Sequence, residues 1–179
     1  MACGGGEGGK DNAEGTENGV TVPAPASSEF AKLKFGDKTV VSNGAGLGMK
    51  MDEVKKLHGS DPIENEDENY LTYTYKFGTE EYDHEYMLEY SFDSETGKAW
   101  QVSYDISMPD AASAKTLYSD IVANFDAKYG KGKSVGDKDW EEMEWKGVTI
   151  DGQKTDVSVQ RMIDSEVGYI LLYFEESYE

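Results

Sequence analysis

The chain has 179 residues, with 36 acidic side chains against 17 basic ones and a net charge of −19. That charge repels nucleic-acid phosphates and anionic lipid head groups, and it removes any polybasic route to a membrane. No apolar run approaches the roughly 18 residues of a spanning helix, so no transmembrane helix is expected.

Cys3 is the only cysteine, and Gly4, Gly5, Gly6, Glu7, Gly8 and Gly9 follow it. Residues 4–29 are dominated by Gly, Glu, Asn, Ala, Ser and Pro. Such a segment cannot bury enough surface to offset its ordering entropy and reads as a flexible tether. Residues 1–29 are therefore expected to be a disordered tether, and residues 30–179, about 150 positions, one domain. A catalytic or metal-binding thiol is not expected, because Cys3 has no second cysteine and His58 and His84 lie far off in sequence. Ala2-Cys3-Gly4-Gly5 resembles the cleavage site of bacterial lipoproteins. In that family a signal peptide ends just before a cysteine that receives diacylglycerol. Met1 then stands as an expression start in place of the signal peptide. The resemblance implies lipid attachment at Cys3 and a location in the bacterial cell envelope, outside the cytoplasm, with a Gram-positive surface favoured over an outer membrane. Two acyl chains suffice for stable anchoring. The alternative is a cytosolic chain with an incidental cysteine, and tether composition and cysteine position together favour the lipoprotein.

Thr39-Val40-Val41 reads as a short strand. Asn43 to Gly48, with glycines at 44, 46 and 48, reads as a strand-to-helix turn; it lacks the spacing of a phosphate-cradling loop. Met51, Val54 and Leu57 give a helical stripe that Gly59 and Pro62 end. Asp61 to Glu68 is acidic and loop-like. Three period-two segments follow. Their expected inward faces are Leu71, Tyr73, Tyr75 and Phe77; then Tyr86, Leu88, Tyr90 and Phe92; then Trp100, Val102, Tyr104 and Ile106. Asp110 caps a second helix with the stripe Ala114, Leu117, Tyr118, Ile121, Phe125 and Tyr129, which Gly130 ends. After a loop to Lys138, Met143 and Trp145 alternate, and Val148 and Ile150 continue past a kink at Gly147. Asp151-Gly152 is a two-residue hairpin turn. Val157, Val159 and Ile163 mark the next strand, and Ile170, Leu172 and Phe174 the last. This order predicts an α+β domain with two helices packed on one face of an antiparallel sheet. Two arrangements fit: tandem helix-plus-three-strand units (39–107 and 108–179), or one meander interrupted by a helix.

Gly48-Met49-Lys50-Met51-Asp52-Glu53-Val54-Lys55-Lys56-Leu57-His58-Gly59 resembles the opening helix of small envelope lipoproteins. These include the small lipoprotein of the outer-membrane barrel-assembly machine and relatives with the fold of the β-lactamase inhibitor protein. Here Lys50 stands at the capping position, His58 separates Leu57 from Gly59, and Ser60 and Asp61 precede Pro62. Lys128-Tyr129-Gly130-Lys131 resembles a segment of Gram-positive lipoproteins. These resemblances imply a sheet domain acting through protein contacts, with no catalytic residue.

Other chemistry is thin. His84-Glu85 begins like a zinc-protease motif, but the second histidine is missing and strand alternation sends the two side chains apart. Asp61, Glu64, Glu66, Asp67 and Glu68 could ligate Ca²⁺ but lack the EF-hand order and its glycine, which favours a solvated loop. Alternation places Glu142 and Glu144 on one strand face and Glu141 on the other, as on an exposed acidic strand. Tyr70, Tyr169 and Tyr173 lie opposite the expected buried face and form a candidate partner-binding surface. A strand covered on both faces is favoured over this reading, because Tyr169 to Phe174 is apolar or aromatic throughout. The leading expectation is a lipid-anchored, extracytoplasmic protein-binding module, an assembly factor or inhibitor, with no metal, cofactor or nucleic-acid partner. A solute- or calcium-binding surface lipoprotein comes second and an envelope hydrolase third.

Overall fold

The computed structural model describes residues 16–17, 20–21, 24–35, 44–77, 84–163 and 166–178. Cys3, the expected strand at 39–41 and most of the expected tether lie outside the described residues. Strands β1 (Thr16–Glu17) and β2 (Val20–Thr21) pair with each other, and a five-residue helix, α1 (Ser28–Lys32), follows. Then come α2 (Met51–His58), β3 (Ile63–Glu66), β4 (Tyr70–Lys76), β5 (Glu85–Phe92) and β6 (Ala99–Met108). Helix α3 (Ala111–Tyr129) leads to β7 (Lys133–Ser134), β8 (Trp140–Ile150), β9 (Gln153–Met162) and β10 (Gly168–Glu176). Strands β3 to β10 form one antiparallel sheet of eight in the order β3-β4-β5-β6-β10-β9-β8-β7. The fold is α+β, with most of its ordered residues in the sheet.

Local chemistry explains the element ends. The Asp110 carboxylate accepts the Ser113 N–H at 2.7 Å and caps α3. The Lys50 side chain cannot accept such a bond. Glu53 instead reaches back to the Lys50 N–H at 2.8 Å, one half of a capping box. Between β5 and β6, Asp93 accepts the N–H groups of Glu95 and Thr96. Asp151 and Gly152 both adopt positive φ (49° and 85°), the conformation that a tight hairpin between β8 and β9 requires. The register of β8 against β9 shifts between Trp145 and Val148, at the expected kink.

One face of the sheet is dry. A single row runs Tyr73–Leu88–Tyr104–Leu172–Val159–Met143 across six strands, and the first five of these side chains are at most 1% exposed. His58 of α2 stacks on Tyr73 with ring centroids 4.1 Å apart. Phe125 of α3 packs edge-on against Phe174 and Trp145. Phe35, just past α1, touches Tyr104, Phe125 and Phe174.

Several expectations need correction. The acidic stretch read as a loop contains β3, whose Ile63 pairs with Tyr73 of β4. Strand β7 lies inside the expected loop to Lys138, so four strands, not three, follow each long helix. Both additions are short edge strands with exposed side chains, which leave no hydrophobic alternation to read. In α2 the buried positions are Val54 and His58, whereas Leu57 is 43% exposed, so a histidine occupies the core stripe. At the start of β6 a bulge puts Ala99 opposite Phe92, and Ala99 rather than Trp100 is buried. In β9 the inward series ends at Arg161, not Ile163; its guanidinium is held by Glu141 at 2.9 and 2.5 Å. Within the expected tether, the N–H groups of Ala26 and Ser27 donate to the Asp120 carboxylate of α3 at 3.0 and 2.8 Å.

Gly168 sits where β10, β6 and the start of α3 meet. A Cβ there would lie 2.3 Å from the Asp110 carbonyl oxygen and 2.6 Å from the Ala114 Cβ. Gly168→Ala should therefore destabilise the domain by about 1–3 kcal/mol in urea denaturation. An unchanged midpoint would mean that this junction yields freely.

Candidate functional site

A connected group of titratable side chains surrounds His58. Its Nδ1 lies 2.8 Å from the Tyr75 hydroxyl and its Nε2 2.8 Å from the Tyr90 hydroxyl. The Tyr75 hydroxyl itself donates to Asp61 Oδ2 at 2.8 Å. That bond uses the Tyr75 proton, so Tyr75 accepts from His58 Nδ1–H, and Nε2 accepts from Tyr90. A one-way chain results: Tyr90 to His58 to Tyr75 to Asp61. Burial pushes the Tyr75, Tyr86 and Tyr90 hydroxyls well above their ordinary pKa. Both imidazole nitrogens and the Tyr75 and Tyr90 hydroxyls are engaged within the chain, which braces α2 against β4 and β5. Within it the imidazole has no free nitrogen to act as a base.

The other sheet face is built differently. Its rows run Thr72–Glu89–Ser103–Tyr173–Ser158–Glu144 and Thr74–Met87–Asp105–Leu171–Gln160–Glu142. Thr72 is buried, but Glu89, Asp105, Tyr169, Leu171, Tyr173 and Glu175 keep part of their surface in solvent, and Met87 is 36% exposed. The Tyr169 hydroxyl donates to Asp105 Oδ2 at 2.5 Å, and its ring meets Trp140 edge-on. Tyr173 has a raised pKa, from burial and then from the negative charges of Asp105, Glu175 and Glu89. Burial also lifts the Glu89 carboxyl, with Asp67 adding to the effect.

Of the residues expected to form a partner-binding face, Tyr169 and Tyr173 stand together on β10, with Leu171 between them. Tyr70 points to the same side but is remote. Its row runs through Ser91 and Gln101 to Glu175, three strand spacings, about 14 Å, from β10. Sequence reading missed Glu89, Asp105 and Trp140 as members of this surface. Period-two alternation places Glu89 and Asp105 opposite the buried sets, but nothing local says which strands adjoin.

The remaining candidates are engaged elsewhere. Glu66 pairs with Lys55, and Asp67 accepts the N–H groups of Asn69 and Tyr70 at 2.7 and 2.9 Å. Glu142 accepts from Gln160 at 3.0 Å on the face opposite Glu141. His84 lies 3.7 Å from Glu29 and packs on Phe77. Among the described residues no group of three or more His, Cys, Asp or Glu is placed to hold a metal ion, and no helix is long and apolar enough to cross a membrane. No protein family, no curated protein and no solved structure matches the chain.

Burial holds the His58 imidazole below its ordinary pKa of 6.5, with Asp61 opposing that effect. The unfolded chain therefore binds this proton more readily than the folded one. The resulting stabilisation is complete above the unfolded pKa and drains away as pH falls through the lower folded value. Melting temperature should drop between about pH 7.5 and about pH 5. His58→Gln should flatten that slope while lowering stability by about 1–3 kcal/mol at neutral pH. An equally steep slope in the variant would assign the pH dependence to other groups.

Proposed function

We propose that the chain is a lipid-anchored, extracytoplasmic protein-binding module of the bacterial envelope, serving as an assembly factor or an inhibitor. The observation that carries the reading is the Tyr169–Leu171–Tyr173 strip. It places two half-buried tyrosine rings on β10, in the middle of an eight-stranded sheet. Rings fixed on a rigid strand give large contact area at small entropic cost, as protein-binding surfaces do.

The architecture adds support. His58 of α2 and Phe125 of α3 both pack on side chains that alternate inward, so we infer that the two long helices share one face and, among the described residues, leave the tyrosine face without a covering helix. Each long helix precedes four strands, and the sheet order is mirror-like about the β6–β10 pair. That symmetry favours tandem units over a single interrupted meander, though each unit has four strands where the sequence pattern shows three. Envelope attachment rests on Cys3 and the composition that follows it. The calcium-binding alternative has less support, because Lys55 neutralises Glu66 and backbone amides occupy Asp67. Among the described residues no nucleophile–base pair supports a hydrolase.

Two measurements test the proposal. Expressed behind a lipoprotein signal peptide, the chain should incorporate a labelled acyl group and partition into membranes, and Cys3→Ser should abolish both. Incorporation that survives the substitution would reject the anchor. A photo-crosslinking residue in place of Tyr173 should capture a discrete partner on intact cells. The same residue in place of Thr116, exposed on α3, should not. Equal capture from both positions would reject this face as the binding surface.

A further inference from the structure

The tyrosine face carries negative charge at Glu89, Asp105 and Glu175, none of which forms a salt bridge among the described residues. Glu89, Asp105 and Glu175 stand on β5, β6 and β10, three adjacent strands, around Tyr173 and Leu171. Their hydrogen-bond partners among the described residues are neutral: the Thr72 hydroxyl at 3.5 Å, the Tyr169 hydroxyl at 2.5 Å and the Gln101 amide at 2.5 Å. Farther across the face the pattern differs. Lys146 lies 3.4 Å from Glu144 and 3.6 Å from Asp156 and offsets one of their two charges. Neutral donors satisfy lone pairs but leave charge in place, and here that charge sits on a partly desolvated surface beside aromatic rings.

The occupant must bring positive charge, and this chain is a poor source of it. Residues 1–15 hold Lys10 against Glu7, Asp11 and Glu14, residues 36–43 hold Lys38 beside Asp37, and residues 78–83 hold Glu80, Glu81 and Asp83 with no base. A second copy would approach with a net charge of −19. A foreign basic segment fits instead. Arginine suits the site better than lysine. Its planar guanidinium can lie against the Tyr173 ring while its N–H groups reach a carboxylate, a dual engagement that a compact ammonium does not reproduce. Glu89 and Tyr173 stand two strand spacings apart, about 10 Å, which one extended side chain and its neighbours span.

We propose that the strip formed by Tyr169, Leu171 and Tyr173, with Glu89, Asp105 and Glu175, is the docking surface for a basic protein segment anchored by arginine against Tyr173. This rests on the protein-binding reading and specifies its partner's chemistry.

The test uses the full chain and two synthetic peptides, one alternating Arg and Ser and one alternating Lys and Ser, with binding followed by fluorescence anisotropy. The Arg peptide should bind several-fold more tightly than the Lys peptide. The pair Glu89→Gln with Asp105→Asn should weaken Arg-peptide binding about tenfold. The charge-matched pair Asp52→Asn with Glu95→Gln, on other surfaces, should weaken it less than about twofold. Tyr173→Ala should erase the preference for Arg over Lys. All variants must keep wild-type melting to count. Equal weakening by the two charge pairs, or no Arg preference in the wild type, would overturn the proposal and reduce the binding to general attraction. The failure of the protein-binding reading has a different signature. A partner captured through position 173 whose affinity ignores the Glu89–Asp105 pair would reject the arginine site and keep protein binding. Peptide discrimination without any captured partner would keep the site and reject that reading.

Discussion

Much of the structure follows from placing tyrosines on a buried face. Tyr73, Tyr86, Tyr90 and Tyr104 are at most 1% exposed. A buried hydroxyl without a partner costs on the order of 1–3 kcal/mol. The chain supplies partners from elements far apart in sequence. Tyr90 donates to His58 of α2, Tyr86 to the Lys32 carbonyl at 3.0 Å, and Tyr104 reaches the Leu33 carbonyl at 3.5 Å. Two of these acceptors are carbonyls at the end of α1, where a helix leaves such groups unpaired. The short helix and the sheet therefore solve each other's hydrogen-bonding problem. This gives α1 a reason to exist despite its five residues and the absence of a buried side chain within it.

The same constraint explains why a histidine stands in the core stripe of α2. An aliphatic side chain at position 58 would pack on Tyr73 but leave the Tyr90 hydroxyl without its acceptor. Imidazole fills the space, stacks on one ring and passes a hydrogen bond in each direction. Asp61 closes the chain at the surface, where a carboxylate is easily solvated. Histidine is thus a packing residue here, and its titration is a consequence of where it packs.

The two sheet faces divide the labour. On β10, Ile170, Leu172 and Phe174 alternate with Tyr169, Leu171 and Tyr173, so adjacent residues serve the core and the half-exposed surface. The apolar run that reads as a strand covered on both sides has a polar rim on its second side, because its cross-strand neighbours are Ser103, Asp105, Ser158 and Gln160. Carboxylates stand beside aromatic rings on that face.

Periodicity alone located α2, α3 and the six longer strands, with the inward sets of β4, β5 and β10, because each has several side chains on one dry face. It failed where few side chains are buried: β3 and β7 are edge strands, and α1 is held by its carbonyls. It also misplaced single positions. At Trp100 a bulge breaks the parity, and at His58 and Arg161 a polar side chain is buried through partners distant in sequence, Tyr75 and Tyr90 for one and Glu141 for the other. By itself the sequence determined the α+β class, the element types, the strong negative charge and the presence of Tyr169 and Tyr173 opposite the buried side. Only the tertiary structure decided that β6 meets β10 at the centre of the sheet, and thereby that Glu89 and Asp105 join Glu175 beside those tyrosines. Strand order is set by pairing between residues 60 to 74 positions apart, which no local period encodes.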